Sequence, residues 1–94
     1  MLEKRQYQPI NGQHPVEFIV SVASLQVELK SPWLRMRSLL GRVTFTDDTF
    51  SLQQIPVVNV FGGTENQWWE IKLRPEDAAD LKALVEYAKT VAQA

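Results

Sequence analysis

Apolar and polar residues alternate most strictly near the C-terminus. From Gln67 to Leu73, Trp69, Ile71 and Leu73 fall on one side and Trp68, Glu70 and Lys72 on the other. A period of two with one apolar face predicts a half-buried strand. The period then changes. Leu81, Leu84, Val85, Ala88 and Val91 recur at spacings of three and four, while Asp80, Lys82, Glu86 and Lys89 fall off that stripe. This predicts an amphipathic helix over 75–92. Pro75 suits the first helical position, and Glu76 and Asp77 complement the helix dipole. A helix of this length is marginal alone in water, so its stripe is expected to cover a β-rich core.

Upstream, the pattern predicts short strands. Val16, Phe18, Val20 and Val22 share one face of a strand over 16–23, with Ile19 and Ala23 on the other. The phase slips at Ser24, after which Leu25, Val27 and Leu29 alternate with Gln26, Glu28 and Lys30. Such a slip is what a bulge or strand break produces. Ser31-Pro32 interrupts pairing. The next strand places Trp33, Arg35 and Arg37 on one face and Leu34 and Met36 on the other, followed by a turn or bulge at Leu39-Leu40-Gly41. Val43 and Phe45 point inward from a strand that ends at Asp47-Asp48, which is read as a two-residue hairpin turn. Phe50 and Leu52 are expected inward on the return strand, which ends at Ile55-Pro56. Val57 to Phe61 forms another short strand, and residues 62–66 form a loop. Residues 1–15 read as an extended or loosely ordered arm, with Tyr7 and Ile10 available to pin it. The expected architecture is α+β: about six short antiparallel strands in a bent sheet or partly open barrel, capped by one C-terminal helix, with residues 16–94 as the domain.

The chain has 94 residues and a formal net charge of −1, with 45% apolar residues. This bounds one modest core and disfavours both wholesale disorder and general polyanion binding. There are no cysteines, so disulfides and thiolate catalysis are excluded and a reducing compartment is comfortable. Met1-Leu2-Glu3-Lys4-Arg5 leads into polar residues, not an apolar run, and no stretch approaches the ~20 apolar residues of a membrane span. The expectation is a cytoplasmic domain without a membrane span.

Gly41-Arg42-Val43-Thr44-Phe45-Thr46, Phe50-Ser51-Leu52-Gln53-Gln54-Ile55, Trp69-Glu70-Ile71 and the helix with Ala78-Ala79 and Leu81 make up one pattern. Through it, roughly residues 41–92 resemble bacterial pleckstrin-homology-like (GRAM-like) domains. The resemblance implies a binding scaffold of seven strands, one more than the alternation gives unless residues 1–15 supply it. The basic loop that phosphoinositide binders carry between the first two strands is absent.

Chemistry-bearing constellations are sparse. The single His14 sits next to a Pro in the arm, a poor holder for a general base. Asp47-Asp48 and Glu76-Asp77 are explained as turn and helix-start residues. No His, Cys or carboxylate cluster has metal-ligand spacing, and Gly62-Gly63 lacks the rest of a phosphate-binding fingerprint. No catalytic residue, metal or cofactor is expected. Charge segregation is the sharper feature. Lys30, Arg35, Arg37 and Arg42 stand without an acid between Leu29 and Thr46, whereas four acids face two lysines from Pro75 onward. Trp33, Arg35, Arg37 and Trp68, joined by Arg42 and Lys30, form the candidate binding set. Trp and Arg dominate protein-interface hot spots, so a non-enzymatic module binding a protein partner or its own copy is the first reading. The same residues suit single-stranded RNA or DNA, with arginine on phosphate and indole on base. Alternatively the arginines pair with Glu28, Glu70 or Asp47 across strands.

Overall fold

In the computed structural model, residues 2–10, 12, 14–30 and 33–93 are described, with Lys30, Trp33 and Gln93 described by backbone only. Among the described residues, seven strands and one C-terminal helix form an α+β domain. The strands are β1 (Leu2–Tyr7), β2 (Val16–Ser21), β3 (Ser24–Lys30), β4 (Trp33–Leu39), β5 (Thr44–Phe50), β6 (Ile55–Thr64) and β7 (Gln67–Leu73); α1 is Pro75–Gln93. They form two antiparallel sheets, ordered β1-β2-β3-β4 and β5-β6-β7. Two sheets thus replace the single bent sheet or partly open barrel of the expectation. The seventh strand is β1, within residues 1–15. The interruption expected at Ser31-Pro32 lies outside the described residues.

The core follows from alternation. Val16, Phe18 and Val20 of β2 face Leu29, Val27 and Leu25 of β3 in register. In the second sheet Val58, Val60 and Gly62 oppose Leu73, Ile71 and Trp69. These inner faces and Ala78, Leu81, Leu84, Val85 and Ala88 of α1 form one buried cluster. Fully burying each Leu, Val or Phe contributes roughly 1.5–3 kcal/mol. The helix begins where Pro75 predicts: the Ala78 amide donates to the Arg74 carbonyl at 2.9 Å. Among the described residues, hydrogen bonds tie the second sheet to β4 and to the segment that follows β1. The Trp69 indole N–H donates to the Arg37 carbonyl of β4 at 3.2 Å, and the Ile10 amide donates to the Lys72 carbonyl at 2.9 Å.

Several local expectations change. Of the two readings of the phase slip at Ser24, the strand break holds: β2 ends at Ser21 and β3 begins at Ser24, with a chain reversal between them. Ser21 and Ser24 flank Val22-Ala23, and the Ser21 hydroxyl accepts from the Ala23 and Ser24 amides at 3.3 and 3.1 Å. Leu39-Leu40-Gly41 leads into a 3-10 turn, Leu40–Arg42. Asp47-Asp48 is not a turn; both lie inside β5, opposite Val58 and Val57. The reversal is Ser51 to Gln54, where Ser51 and Gln54 adopt φ of 69° and 55°. The Gln54 amide donates to the Ser51 carbonyl at 3.1 Å, and the Gln53 amide to the Ser51 hydroxyl at 3.2 Å. Leu52 is therefore solvent-exposed at the turn, not inward. Ile55-Pro56 begins β6, and Gly62 to Thr64 continue it, leaving Glu65-Asn66 as the turn.

Tyr7 fixes β1 to the helix. Its ring lies 5.9 Å from that of Phe18, and its hydroxyl donates to the Asp80 carboxylate at 2.6 Å. Burial first, then the bond to Asp80, pushes the Tyr7 phenol well above its ordinary value near 10. The folded state thus favours the protonated phenol. That contribution is complete below the unfolded phenol's pKa of about 10 and is lost as pH rises beyond it. Tyr7→Phe should cost ~1 kcal/mol at pH 7. It should also remove part of the stability loss seen above pH ~10. Thermal melts of both proteins at neutral and alkaline pH check this; parallel decline would show that Tyr7 does not report the junction.

Candidate functional site

The candidate residues divide between the two sheets. Arg35 and Arg37 project from the outer face of β4, opposite Glu28 and Gln26 of β3. Arg35 donates to Glu28 at 3.0 Å. Gln26 Nε2 adds a second bond to the same carboxylate at 3.1 Å. Glu28 is buried on this face and stands directly opposite Glu17 of β2, so the Arg35 guanidinium offsets a like-charge pair. The cross-strand ion pair is thus the arrangement adopted by Arg35. Arg37 is exposed, while its carbonyl accepts from Trp69. The backbones of Lys30 and Trp33 pair at the far end of the same ladder; their side chains lie outside the described residues.

Trp68 belongs to the other sheet. It projects from the outer face of β7 with 71% of its surface exposed. Its partner across the ladder is Gly63, so no opposing side chain covers it. Phe61, half-buried, Glu70 and the edge of Trp69 complete a shallow depression around it. Arg42 reaches the same end of this sheet, 3.9 Å from Glu65 in the β6–β7 turn. The structure therefore places Trp68 and Arg42 at the same end of the second sheet and Arg35 and Arg37 on a separate sheet. Phe61 was hidden in the sequence because Val57 to Phe61 shows no strict alternation that would assign its face. Its pairing with Glu70 identifies it as outward-facing.

A polar chain crosses the outer face beside this depression. Lys72 Nζ donates to Asn59 Oδ1 at 2.8 Å and to Glu70 Oε1 at 2.9 Å. Asn59 Nδ2 donates to Asp48 Oδ2 at 2.9 Å. Donation from Asn59, then from the Thr49 amide, holds the Asp48 carboxyl below the ordinary carboxylate range, with Lys72 assisting. A depressed pKa contributes stability above the ordinary carboxylate range that is lost as pH falls through the folded value. These bonds fix the three strands in register on the face that carries Trp68.

His14 is exposed beside Gln6, Pro15 and Glu17. Among the described residues, no group of three or more His, Cys, Asp or Glu is placed to hold a metal ion. No described helix is long and apolar enough to cross a membrane. What fold and surface define together is an α+β domain of two sheets and a C-terminal helix with an aromatic depression on one outer face. No family model, curated protein or solved structure matches the chain.

Proposed function

We propose that this chain is a small non-enzymatic binding module that engages a protein partner through the outer face of β7. The observation that carries this reading is Trp68, held 71% exposed on a rigid strand above Phe61. Trp68 is joined by half-buried Phe61 in one shallow apolar depression, and Trp is among the strongest hot-spot residues. Seven strands and a C-terminal helix support the pleckstrin-homology-like resemblance, which implies a binding scaffold. Around Trp68 the cations are already engaged, Lys72 by Glu70 and Arg42 by Glu65, which argues for protein over nucleic acid. Arg35, held by Glu28, contributes little free charge to a phosphate track. The lack of cysteine leads us to place the module in the cytoplasm.

Trp68→Ala tests the reading. As a surface substitution it should shift stability by no more than ~0.5 kcal/mol. Proteins retained on the wild-type domain should be lost from the variant. A recovered partner, titrated calorimetrically, should bind it about 30-fold or more weakly, as hot-spot truncation implies. Light scattering on the protein alone identifies a second copy as the partner. If Trp68→Ala leaves every interaction intact, the site is wrong. Steeply salt-sensitive binding of a labelled random single-stranded RNA pool would replace the protein reading with the nucleic-acid one.

A further inference from the structure

The sheet edges are not equivalent. The outer edge of β7 receives the Ile10 amide. β4 is met by the Trp69 indole. β1 is guarded by the charged run Glu3-Lys4-Arg5, a common protection against strand pairing. β5 has only β6 as a neighbour, and among the described residues no backbone group from elsewhere bonds its outer edge. Its sequence, Thr-Phe-Thr-Asp-Asp-Thr-Phe, is rich in strand-forming residues and carries neither Pro nor Lys.

The direction of the open groups follows from one residue pair. Thr49 pairs with Pro56, which offers no N–H, and its own amide is taken by the Asp48 carboxylate at 2.8 Å, so Thr49 occupies a non-hydrogen-bonded position of the β5–β6 ladder. Such positions alternate along an antiparallel strand, so the backbone groups of Phe45 and Asp47 also point outward, away from β6. Thr49 is already capped, leaving Phe45 and Asp47 as the open pairing positions. Beside them lies a shallow cleft of about 270 Å³ between β5 and the first half of α1. Phe45, Asp47 and Val58 form its strand wall, and Pro75, Ala78, Ala79 and Lys82 its helix wall. The helix residues share one face by their spacing, and the two alanines leave room that longer side chains would fill.

We infer that the β5 edge receives an extended segment of a partner protein as an additional strand, with an apolar side chain in the Phe45–Ala79 cleft and a basic side chain over Asp47. This is strand addition, in which main-chain bonds give affinity and pockets for alternate side chains give specificity. Charge selects the occupant. Asp47 and Asp48 are adjacent on the edge strand, and among the described residues Asp47 forms no ion pair or side-chain hydrogen bond. A second copy paired antiparallel over the full strand would set Asp47 against Asp47, which is repulsive. A Lys or Arg at that position is attractive instead. Lys82 stands on the helix wall, so the basic side chain belongs over the strand and not towards the helix. This site is separate from the Trp68 face and does not depend on it.

The test is selection of the full chain against a random twelve-residue peptide display library. Enriched peptides should carry an apolar residue and a Lys or Arg two positions apart, so that both fall on the face opposite Phe45 and Asp47. Their affinity should fall by about 10-fold or more with Asp47→Lys, from reversed charge opposite a basic residue. Ala79→Trp, at an exposed helix position, should block the cleft to a similar extent while melting like the wild type. Methylating alternate peptide amides should abolish binding by removing the strand bonds. Absence of enrichment, or peptides indifferent to both variants and to methylation, overturns the inference. A wild-type dimer that Ala79→Trp dissociates overturns it in favour of self-pairing.

Discussion

Trp69→Ala should destabilise the domain by about 3–5 kcal/mol, the range for removing a buried aromatic from a core. The residue is 6% exposed, and its ring lies 6.5 Å from that of Phe18, a contact between the two sheets. Its indole N–H also holds the Arg37 carbonyl of β4. Truncation thus opens a cavity and leaves a carbonyl without its donor. Total stabilities of domains this size are about 5–15 kcal/mol, so the loss is a large fraction. At ~4–8 °C per kcal/mol for such a domain, melting should fall by well over about 10 °C. The control is Trp68→Ala, one position away on the opposite face, where the shift should stay within ~0.5 kcal/mol. Urea or thermal melts of both variants decide the matter. Equal effects, or the reverse order, would show that the outward face of β7 has been misassigned and with it the proposed partner surface.

That contrast is legible in the amino-acid sequence, because strict alternation from Gln67 to Leu73 assigns the two tryptophans to opposite faces. The helix is equally legible, since Pro75 marks its start and one apolar stripe runs along it. Other elements lack such signals. β1 contributes only Tyr7 to the core while Leu2 to Gln6 stay exposed or half-exposed, so no apolar period marks it. The β5–β6 hairpin is hidden by its turn chemistry. Ser51 and Gln54 take left-handed conformations that Gly or Asn usually supply, and the nearby Asp47-Asp48 offers the more familiar signal.

The candidate sites divide in the same way. Cross-strand pairing of an arginine with Glu28 is open from the sequence, and β3–β4 register selects Arg35 for it. That Arg35 and Arg37 stand on a different sheet from Trp68 is not readable, because alternation assigns faces within a strand and says nothing of which strands neighbour. The open β5 edge is unreadable for a related reason. A strand whose middle is taken for a turn presents no edge at all.

Gly63→Ala should be among the most damaging single-methyl additions in the chain, costing more than ~3 kcal/mol. Gly63 has φ of +144°, a region essentially restricted to glycine. A Cβ built there would lie 2.1 Å from the Gln67 carbonyl oxygen and 3.0 Å from the Trp68 Cα. Both are backbone atoms of the paired strand, so no rotamer change relieves the clash. At Gly62 a Cβ would lie 2.3 Å from Cζ2 of Trp69, and relief there requires displacing a ring already held by Phe18 and Arg37. At Gly41 nothing lies within 4 Å, so Gly41→Ala should be neutral or stabilising by up to ~1 kcal/mol. Melts of the three variants should therefore rank Gly63 and Gly62 far below Gly41. If Gly63→Ala melts with Gly41→Ala, the β6–β7 register is not Gly63↔Trp68. The same glycine leaves Trp68 without a cross-strand neighbour. Its lack of a side chain thus serves the hairpin's geometry and the exposure of the indole together, and a larger residue would disturb both.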